Sequence, residues 1–207
     1  MNRQPPTAVV IPVKAFDLAK ERLSPAMGTD ERAALARSMA AGVVAAGEPL
    51  PTYVVCGADD VADWALEVGA GVIWLEEPGL NRAVSFACEV LAAEGYHRVI
   101  IAHGDLPLAT SLPWVGEFDG VTIVPDRRGE GTNVMAVPLD QGFQFSYGEG
   151  SAPIHEAEAK RLGLPLRIVP DYSLGWDIDT PDDLADLPNP NADSETLISN
   201  SDEDEDQ

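Results

Sequence analysis

Short apolar runs alternate with longer amphipathic stretches along the first half of this chain. Ala8-Val-Val-Ile-Pro-Val13, Thr52-Tyr-Val-Val-Cys56, Gly71-Val-Ile-Trp-Leu75 and Val99-Ile-Ile-Ala102 are rich in β-branched residues and bounded by turn formers. Such runs predict strands, and the unbroken run Val99–Ala102 predicts one buried on both faces. Between the first two, the spacing predicts a helix over about residues 30–47, capped by Thr29, with Asp30 and Glu31 in its first turn and with Leu35, Met39 and Val43 turned to the sheet. A second helix is expected from a cap at Asp59 to about Val68. A third opens within Glu77–Val84 and runs to about Glu94. Trp64 and Trp74 are expected in the core. This alternation predicts an α/β fold, a mostly parallel central sheet with helices on both faces.

The pattern changes after Ala102. Gly120–Val124 and Thr132–Val137 read as two further strands. The connection between them, Pro125-Asp-Arg-Arg-Gly-Glu-Gly131, is either a plain hairpin-like link or a loop bringing bare backbone and positive charge to an anion. A helix is expected from an N-cap at Ser151 to about Leu162, its free amides forming an anion site, with His155 one turn in, either a surface residue or a side chain pointing back to that end. Leu166–Val169 is a last strand. Thr180 is a good N-cap with Pro181 at the first helical position, so Asp182 and Asp183 read as structural first-turn acids. Asp177 and Asp179 alternate around Ile178 and share one face of an extended backbone.

The 207 residues suit one sizeable domain, read here as residues 8–187, between a flexible segment 1–7 and a tail, 188–207, too polar to order itself. The net charge is −22, from 13 basic and 35 acidic residues. Such a surface repels nucleic acid unless a local basic patch intervenes. No apolar run approaches the ~20 residues of a membrane helix, and Met1–Pro6 has no signal-peptide core. Cys56 and Cys88 lack Cys-x-x-Cys spacing and are expected as buried thiols. The expectation is a cytoplasmic protein that binds neither nucleic acid nor membrane.

Against that background, a few residues carry candidate chemistry. The strand at Val99–Ala102 ends in His103-Gly104-Asp105-Leu-Pro107. Ligands of open α/β sheets bind at the carboxyl ends of strands, which places Asp105 to face a ligand or metal, with Gly104 letting a bulky group approach. Lys14, Lys20 and Arg22 follow the first strand and are candidates for a triphosphate clamp, assisted by Arg127 or Arg128. Neither a P-loop nor a Gly-x-Gly-x-x-Gly fingerprint is present. Asn81 is either a simple N-cap or a ligand contact. If Asp105, Asp177 and Asp179 converge, two charges ~4 Å apart repel by roughly 4 kcal/mol at an effective dielectric of ~20. A divalent cation removes that repulsion, and oxygen-only ligands favour Mg2+, or Mn2+, over zinc.

The ordered set Ile11-Pro-Val-Lys14 with Ala19-Lys20-x-Arg22-Leu23, Leu80-Asn81, Gly104-Asp105-Leu106-Pro107, Pro125-Asp-Arg-x-Gly-x-Gly-Thr-Asn133, Tyr147-Gly-x-Gly-Ser151 with His155, and Asp177-Ile-Asp-Thr-Pro181 resembles the CofC or FbiD guanylyltransferases of coenzyme F-420 biosynthesis. The resemblance implies a nucleotide-diphospho-sugar transferase-like fold (GT-A-like, Rossmann-related). It implies transfer of GMP from GTP to phosphoenolpyruvate or 2-phospho-L-lactate, with release of pyrophosphate. It places acceptor contacts at Thr132, Gly148 and Ser151 and metal ligands at Asp105, Asp177 and Asp179; the residue reading adds nucleotide contacts at Lys14, Lys20, Arg22, Asn81 and Gly104. Hand-off of the product to the next enzyme of the pathway is a further expectation, and a homodimer is expected only as the usual default. Two other readings share these features: a nucleotidyltransferase of the same fold with another substrate, and a non-catalytic GTP-binding protein.

Overall fold

A computed structural model describes residues 6–76 and 79–187. The strands are β1 (Thr7–Pro12), β2 (Thr52–Cys56), β3 (Gly71–Trp74), β4 (Arg98–Ala102), β5 (Val121–Pro125), β6 (Thr132–Pro138) and β7 (Leu166–Ile168). The helices are α1 (Thr29–Ala46), α2 (Asp59–Glu67), α3 (Leu80–Ala93), α4 (Ser151–Arg161) and α5 (Pro181–Ala185). One seven-stranded sheet has the order β3-β2-β1-β4-β6-β5-β7. Neighbours run parallel except at β6, which is antiparallel to both β4 and β5.

Period-two alternation divides the strand side chains between two apolar layers. Val9, Ile11, Val54, Ile100 and Ala136 point to one side, against Ala40, Val43 and Val44 of α1 and Val61 and Trp64 of α2. Val10, Val55, Ile101, Ile123 and Met135 point to the other, against Val84, Ala87 and Leu91 of α3 and Ala159 of α4. All five residues of β4 are buried, which is why its sequence reads as an unbroken apolar run.

Several expectations are corrected. Strand β1 begins at Thr7, and the Pro6 carbonyl accepts from His97 N–H at 3.1 Å, so these two residues belong to the folded body. Residues 1–5 and the acidic tail 188–207 lie outside the described residues. The N-cap of α1 is Gly28, whose N–H donates to Glu31 Oε2 at 2.8 Å; Thr29 is already helical. The cap of α2 is Ala58 rather than Asp59. Of the three α1 residues expected on the sheet, only Val43 is there. Met39 packs with Leu23 and Ile178, with Leu35 beside them. This second apolar face of α1 grips two loops that carry candidate site residues. Trp64 is core, edge-on to Phe16 at 5.2 Å. Trp74 is 42% exposed because β3 is an edge strand.

Candidate active site

The antiparallel β6 decides where the candidate residues gather. Its register opposes Val134 to Ala102, so the start of β6 lies at the same edge as the end of β4. Thr132 and Asn133 thereby join Lys14, Lys20 and Asp105, which follow the carboxyl ends of β1 and β4. Strand β7 runs parallel to β5 and ends at that edge too.

Beyond β7 the chain walks back across this edge toward the centre of the sheet. Val169 N–H donates to Ile123 O (2.9 Å), the Gly175 carbonyl accepts from Arg127 N–H (2.8 Å), and Ile178 N–H reaches Asp105 O (3.3 Å). The Leu174 carbonyl accepts from Asn133 Nδ2 at 3.1 Å. A Cβ at Gly175 would sit 2.6 Å from the Asp171 carbonyl, so only glycine allows this close crossing. Ile178 is buried against Leu23 and Met39, while Asp177 and Asp179 flank it on the side of the crevice.

Lys20 is the cation of the site. Its Nζ lies 2.5 Å from Asp105 Oδ2 and 3.0 Å from Asp179 Oδ1. Among the described non-glycine residues it alone has a positive φ, 55°. Such left-handed backbone costs on the order of 1–3 kcal/mol and persists only where its surroundings hold it. Here the hold comes from the two carboxylates and from the buried Leu23 just downstream. Burial opposes the Lys20 charge, yet Asp105 and Asp179 outweigh it and raise its pKa. Burial likewise favours protonated Asp105, but the Lys20 ammonium and His103 prevail and hold its pKa below the usual range. Asp177 moves the other way. Burial and then the Asp105 charge push its pKa up, against Asn133, whose Nδ2 lies 3.4 Å from its Oδ1.

This cluster fits a divalent cation by its chemistry. Asp105 Oδ1 is buried without a hydrogen-bond partner, and Asp177 is a carboxylate short of compensating charge. The donors are all hard oxygens. Among the described residues no three acidic, His or Cys side chains are set at metal-ligand spacing, because Lys20 stands between Asp105 and Asp179. Asp105 and Asp177 are thus the residues that would hold the ion, with Asp179 beside them.

The other candidate residues are placed as follows. Lys14 is exposed, and Arg22 is 77% exposed with Asp179 Oδ2 at 3.7 Å. Asn81 is not a helix cap: the α3 cap is Gly79. Its Nδ2 donates to Tyr147 O (3.1 Å) and its Oδ1 accepts from Tyr147 N–H (2.6 Å), so its amide clamps the loop that leads to Gly148. At Gly104 the vacant side-chain direction faces Ile11, Val13 and Ala40 at 3.5–3.7 Å, so its lack of a side chain does not open the crevice. Gly148 has φ 137° and Gly150 φ 69°, conformations that favour glycine.

Both anion cradles read from backbone geometry are filled by the chain itself. The Asp126 carboxylate accepts from the N–H groups of Arg128 (3.0 Å), Glu130 (3.0 Å) and Gly131 (2.8 Å), making the 126–131 connection a self-satisfied hairpin link. The N-cap of α4 is Gly150, not Ser151. Ser151 N–H goes to Gly148 O (3.2 Å), Ala152 N–H goes to Glu130 O (3.0 Å), and Pro153 has no N–H. Ser151 is buried, and its Oγ accepts from Thr132 N–H at 2.9 Å. His155, one possible surface residue in the sequence reading, is fully buried between Thr132 and Ser146.

Asp183, Asn133 and Asp126 do more than the sequence reading assigned them. The buried Asp183 Oδ2 accepts from Thr180 N–H (2.7 Å) and Asp179 N–H (3.0 Å), while its Oδ1 takes Arg127 Nη2. It ties the hairpin link to the Asp177–Thr180 segment. Arg127 is stacked on Trp176 at 4.5 Å, and Arg128, 63% exposed, also reaches Asp183 Oδ1 with its Nη2 at 3.5 Å. An Asp followed by two glycines in a link between strands was the available signal for Asp126, and a polar residue beginning an apolar strand was the signal for Asn133.

A concavity of about 1040 Å3 opens at the opposite edge, near Arg98 and Phe118. Arg98 there donates to Gly120 O at 2.6 Å, and none of the clustered carboxylates reaches it. The carboxyl edge, with its ammonium between aspartates, is the chemically equipped end.

A mixed sheet of this order with helices on both faces is an α/β fold shared with known nucleotidyltransferases. A nucleotidyl transferase from Methanothermobacter thermautotrophicus shares the fold with a TM-score of 0.62 at 16% identity, over 94% of this chain and 99% of that one. A Desulfovibrio desulfuricans protein described as a nucleotide-diphospho-sugar transferase reaches 0.70 at 20% identity, over 91% and 88%. The family model described as "Guanylyl transferase CofC like" matches residues 7–193, and the chain belongs to that family. The phosphoenolpyruvate guanylyltransferase of Conexibacter woesei is 34% identical over 86% of this chain and 85% of its own. The 2-phospho-L-lactate guanylyltransferase of Natrialba magadii is also 34% identical, over 86% and 82%. No described helix is long and apolar enough to cross a membrane.

Proposed function

We propose that this chain transfers GMP from GTP to a phosphorylated three-carbon acid, with phosphoenolpyruvate the preferred acceptor over 2-phospho-L-lactate, in the biosynthesis of coenzyme F-420. The observation that carries the reading is the Lys20 ammonium between Asp105 and Asp179 at the carboxyl edge, in a member of this family. The acceptor's phosphate oxygen attacks the α-phosphorus of GTP. The bond from that phosphorus to the bridging oxygen breaks, and pyrophosphate leaves. No covalent enzyme intermediate is needed, since the acceptor brings its own nucleophile.

Lys14, Lys20 and Arg22 hold the triphosphate and meet the charge that builds on the leaving pyrophosphate. Lys14 and Arg22 are exposed; Arg128, the more exposed of the two arginines that reach Asp183, joins them. Mg2+, with Mn2+ as a substitute, would be held by Asp105 and Asp177 with Asp179 beside them. When bound it offsets charge on the phosphates. Gly104 lies beside the nucleotide, and Asn81 acts by holding Tyr147. Thr132, Gly148 and Ser151 take the acceptor. A homodimer, and transfer of the activated product to the next enzyme of the pathway, belong to the same proposal.

The test is pyrophosphate release with GTP, ATP, CTP or UTP against each acceptor, with and without a chelator. The expected result is turnover with GTP and phosphoenolpyruvate that stops on chelation. Turnover with a different nucleotide only, or GTP binding with no turnover on either acid, removes the reading.

A further inference from the structure

Three hydrogen bonds run in one direction from Ser146 to Ser151, and their order decides where two hydroxyl hydrogens go. The run starts at the Ser146 backbone N–H, 3.0 Å from His155 Nε2. An amide N–H only donates, so Nε2 is the bare nitrogen and the proton of the neutral ring sits on Nδ1. Nδ1 lies 3.0 Å from Thr132 Oγ1, so that bond runs from the ring to the hydroxyl oxygen. Thr132 N–H in turn donates to Ser151 Oγ at 2.9 Å. Both hydroxyl oxygens are thus occupied by donors that cannot reverse, and each hydroxyl keeps its own hydrogen. Among the described residues neither hydrogen meets an acceptor.

The ring is well held for this task. His155 is fully buried, with the rings of Tyr147 and Phe143 centred 4.8 and 6.0 Å away. Burial first, and His103 second, push its pKa down to about 4 against the pull of Glu158, so it is neutral at physiological pH. The start of α4 offers no substitute, because the amides of Ser151 and Ala152 are spent and Pro153 has none. The two hydroxyl hydrogens are therefore the side-chain donors left beside this first turn.

We propose that His155 is a positioning residue of the acceptor site: by occupying the oxygen of the buried Thr132 hydroxyl it commits that hydroxyl to donate to the anionic group of a phosphorylated carboxylic acid. The proposal rests on the assignment of Thr132 and Ser151 to the acceptor given above. His155 itself touches neither substrate. It acts through Thr132 Oγ1, whose hydrogen would otherwise be free to turn inward.

Two measurements test it. In the histidine 15N spectrum of the wild-type protein at neutral pH, one residue, assigned to His155 by its loss in a substituted protein, should carry its proton on Nδ1 alone. The Nε2-protonated tautomer overturns the proposal. In steady-state kinetics, His155→Phe should raise the acceptor KM about tenfold to a hundredfold, the loss expected when one hydrogen bond to a charged group goes, with the GTP KM unchanged. His155→Asn, whose amide can donate from near the Nδ1 position, should recover most of the loss. In a Thr132→Val background, His155→Phe should add less than about twofold. An unchanged acceptor KM in His155→Phe, or full additivity with Thr132→Val, overturns the proposal while leaving the enzymatic reading in place. A wild-type protein inactive with both acids removes the enzymatic reading, and with it this one. If His155→Phe fails to fold, the wild-type spectrum and the His155→Asn kinetics still decide.

Discussion

Lys20 Nζ and Asp105 Oδ2 stand 2.5 Å apart although 85 positions separate them in the chain. The contact joins the loop after β1 to the end of β4, and Asp179 closes it from the far end of the folded chain. An ammonium held between two acids offsets their mutual repulsion and pins three distant segments of the chain at one edge of the sheet.

Lys20→Met should therefore cost turnover and stability together. Removing the cation leaves Asp105 without its paired ammonium and Asp179 with only the exposed Arg22, and breaking a buried pair on one side typically costs about 3–5 kcal/mol. Asp105 is partly solvated, so the lower end is expected. Thermal melts with and without Mg2+ check this: the ion should restore more stability to Lys20→Met than it adds to the wild type.

Asp105→Asn should abolish pyrophosphate release while preserving the fold. Its amide keeps the side chain's shape, and Lys20 retains Asp179. Wild-type turnover in this variant would remove Asp105 from the mechanism.

Asp183 should prove structural and acid-sensitive. Burial raises its pKa, but hydrogen bonds from Thr180, Asp179 and Arg127 bring it from 3.8 down to about 2. A depressed carboxylate stabilises the fold above its unfolded pKa and loses that contribution as pH falls through the folded value. Roughly 2 kcal/mol present above pH 4 should thus be lost between about pH 4 and 2. Asp183→Asn should lower the stability at pH 7 by about that amount and flatten this acid limb in urea titrations.

His155 makes the opposite kind of demand at milder acidity. Its folded pKa of about 4 lies below the ordinary 6.5, so the unfolded chain binds the extra proton first. Stability should fall as pH drops from 6.5 toward 4 and be independent of this group above 6.5. The groups facing it are His103 beyond β4, Tyr147 and Phe143 in the loop before α4, and Glu158 on α4 itself. Urea titrations of wild type and His155→Phe should differ in slope over that window only; parallel curves would contradict it.

Gly175→Ala should be poorly tolerated, because the added carbon would press on the Asp171 carbonyl at 2.6 Å. The shift would disturb the crossing that brings Asp177 and Asp179 to Asp105. A loss of both melting temperature and activity is expected, larger than for Gly42→Ala in α1, where nothing lies within 4 Å of the new Cβ.

The order of strands and helices was legible from periodicity, and so was the gathering of Lys20 and Asp105 at the ends of parallel strands. Element ends were less legible. Gly28 and Gly150 cap helices for which Thr29 and Ser151 are chemically better caps, since hydroxyl preference is a local average that loop geometry overrides. The trace of β6 against β4 mattered most for the site, and no local pattern announces a strand's direction.

By itself the amino-acid sequence determined which side chains each element turns to its two faces, and the set of acids and bases that mark the family. Only the tertiary structure decided how those groups are used. It put Lys20 between two aspartates, spent the Asp126 carboxylate on its own loop, and buried His155 with a single tautomer open to it. The physical reason is that periodicity is a property of neighbours along the chain. The partners of a charge or a hydrogen-bond donor are set by which distant groups reach it first, and by the cost of leaving any buried one unpaired.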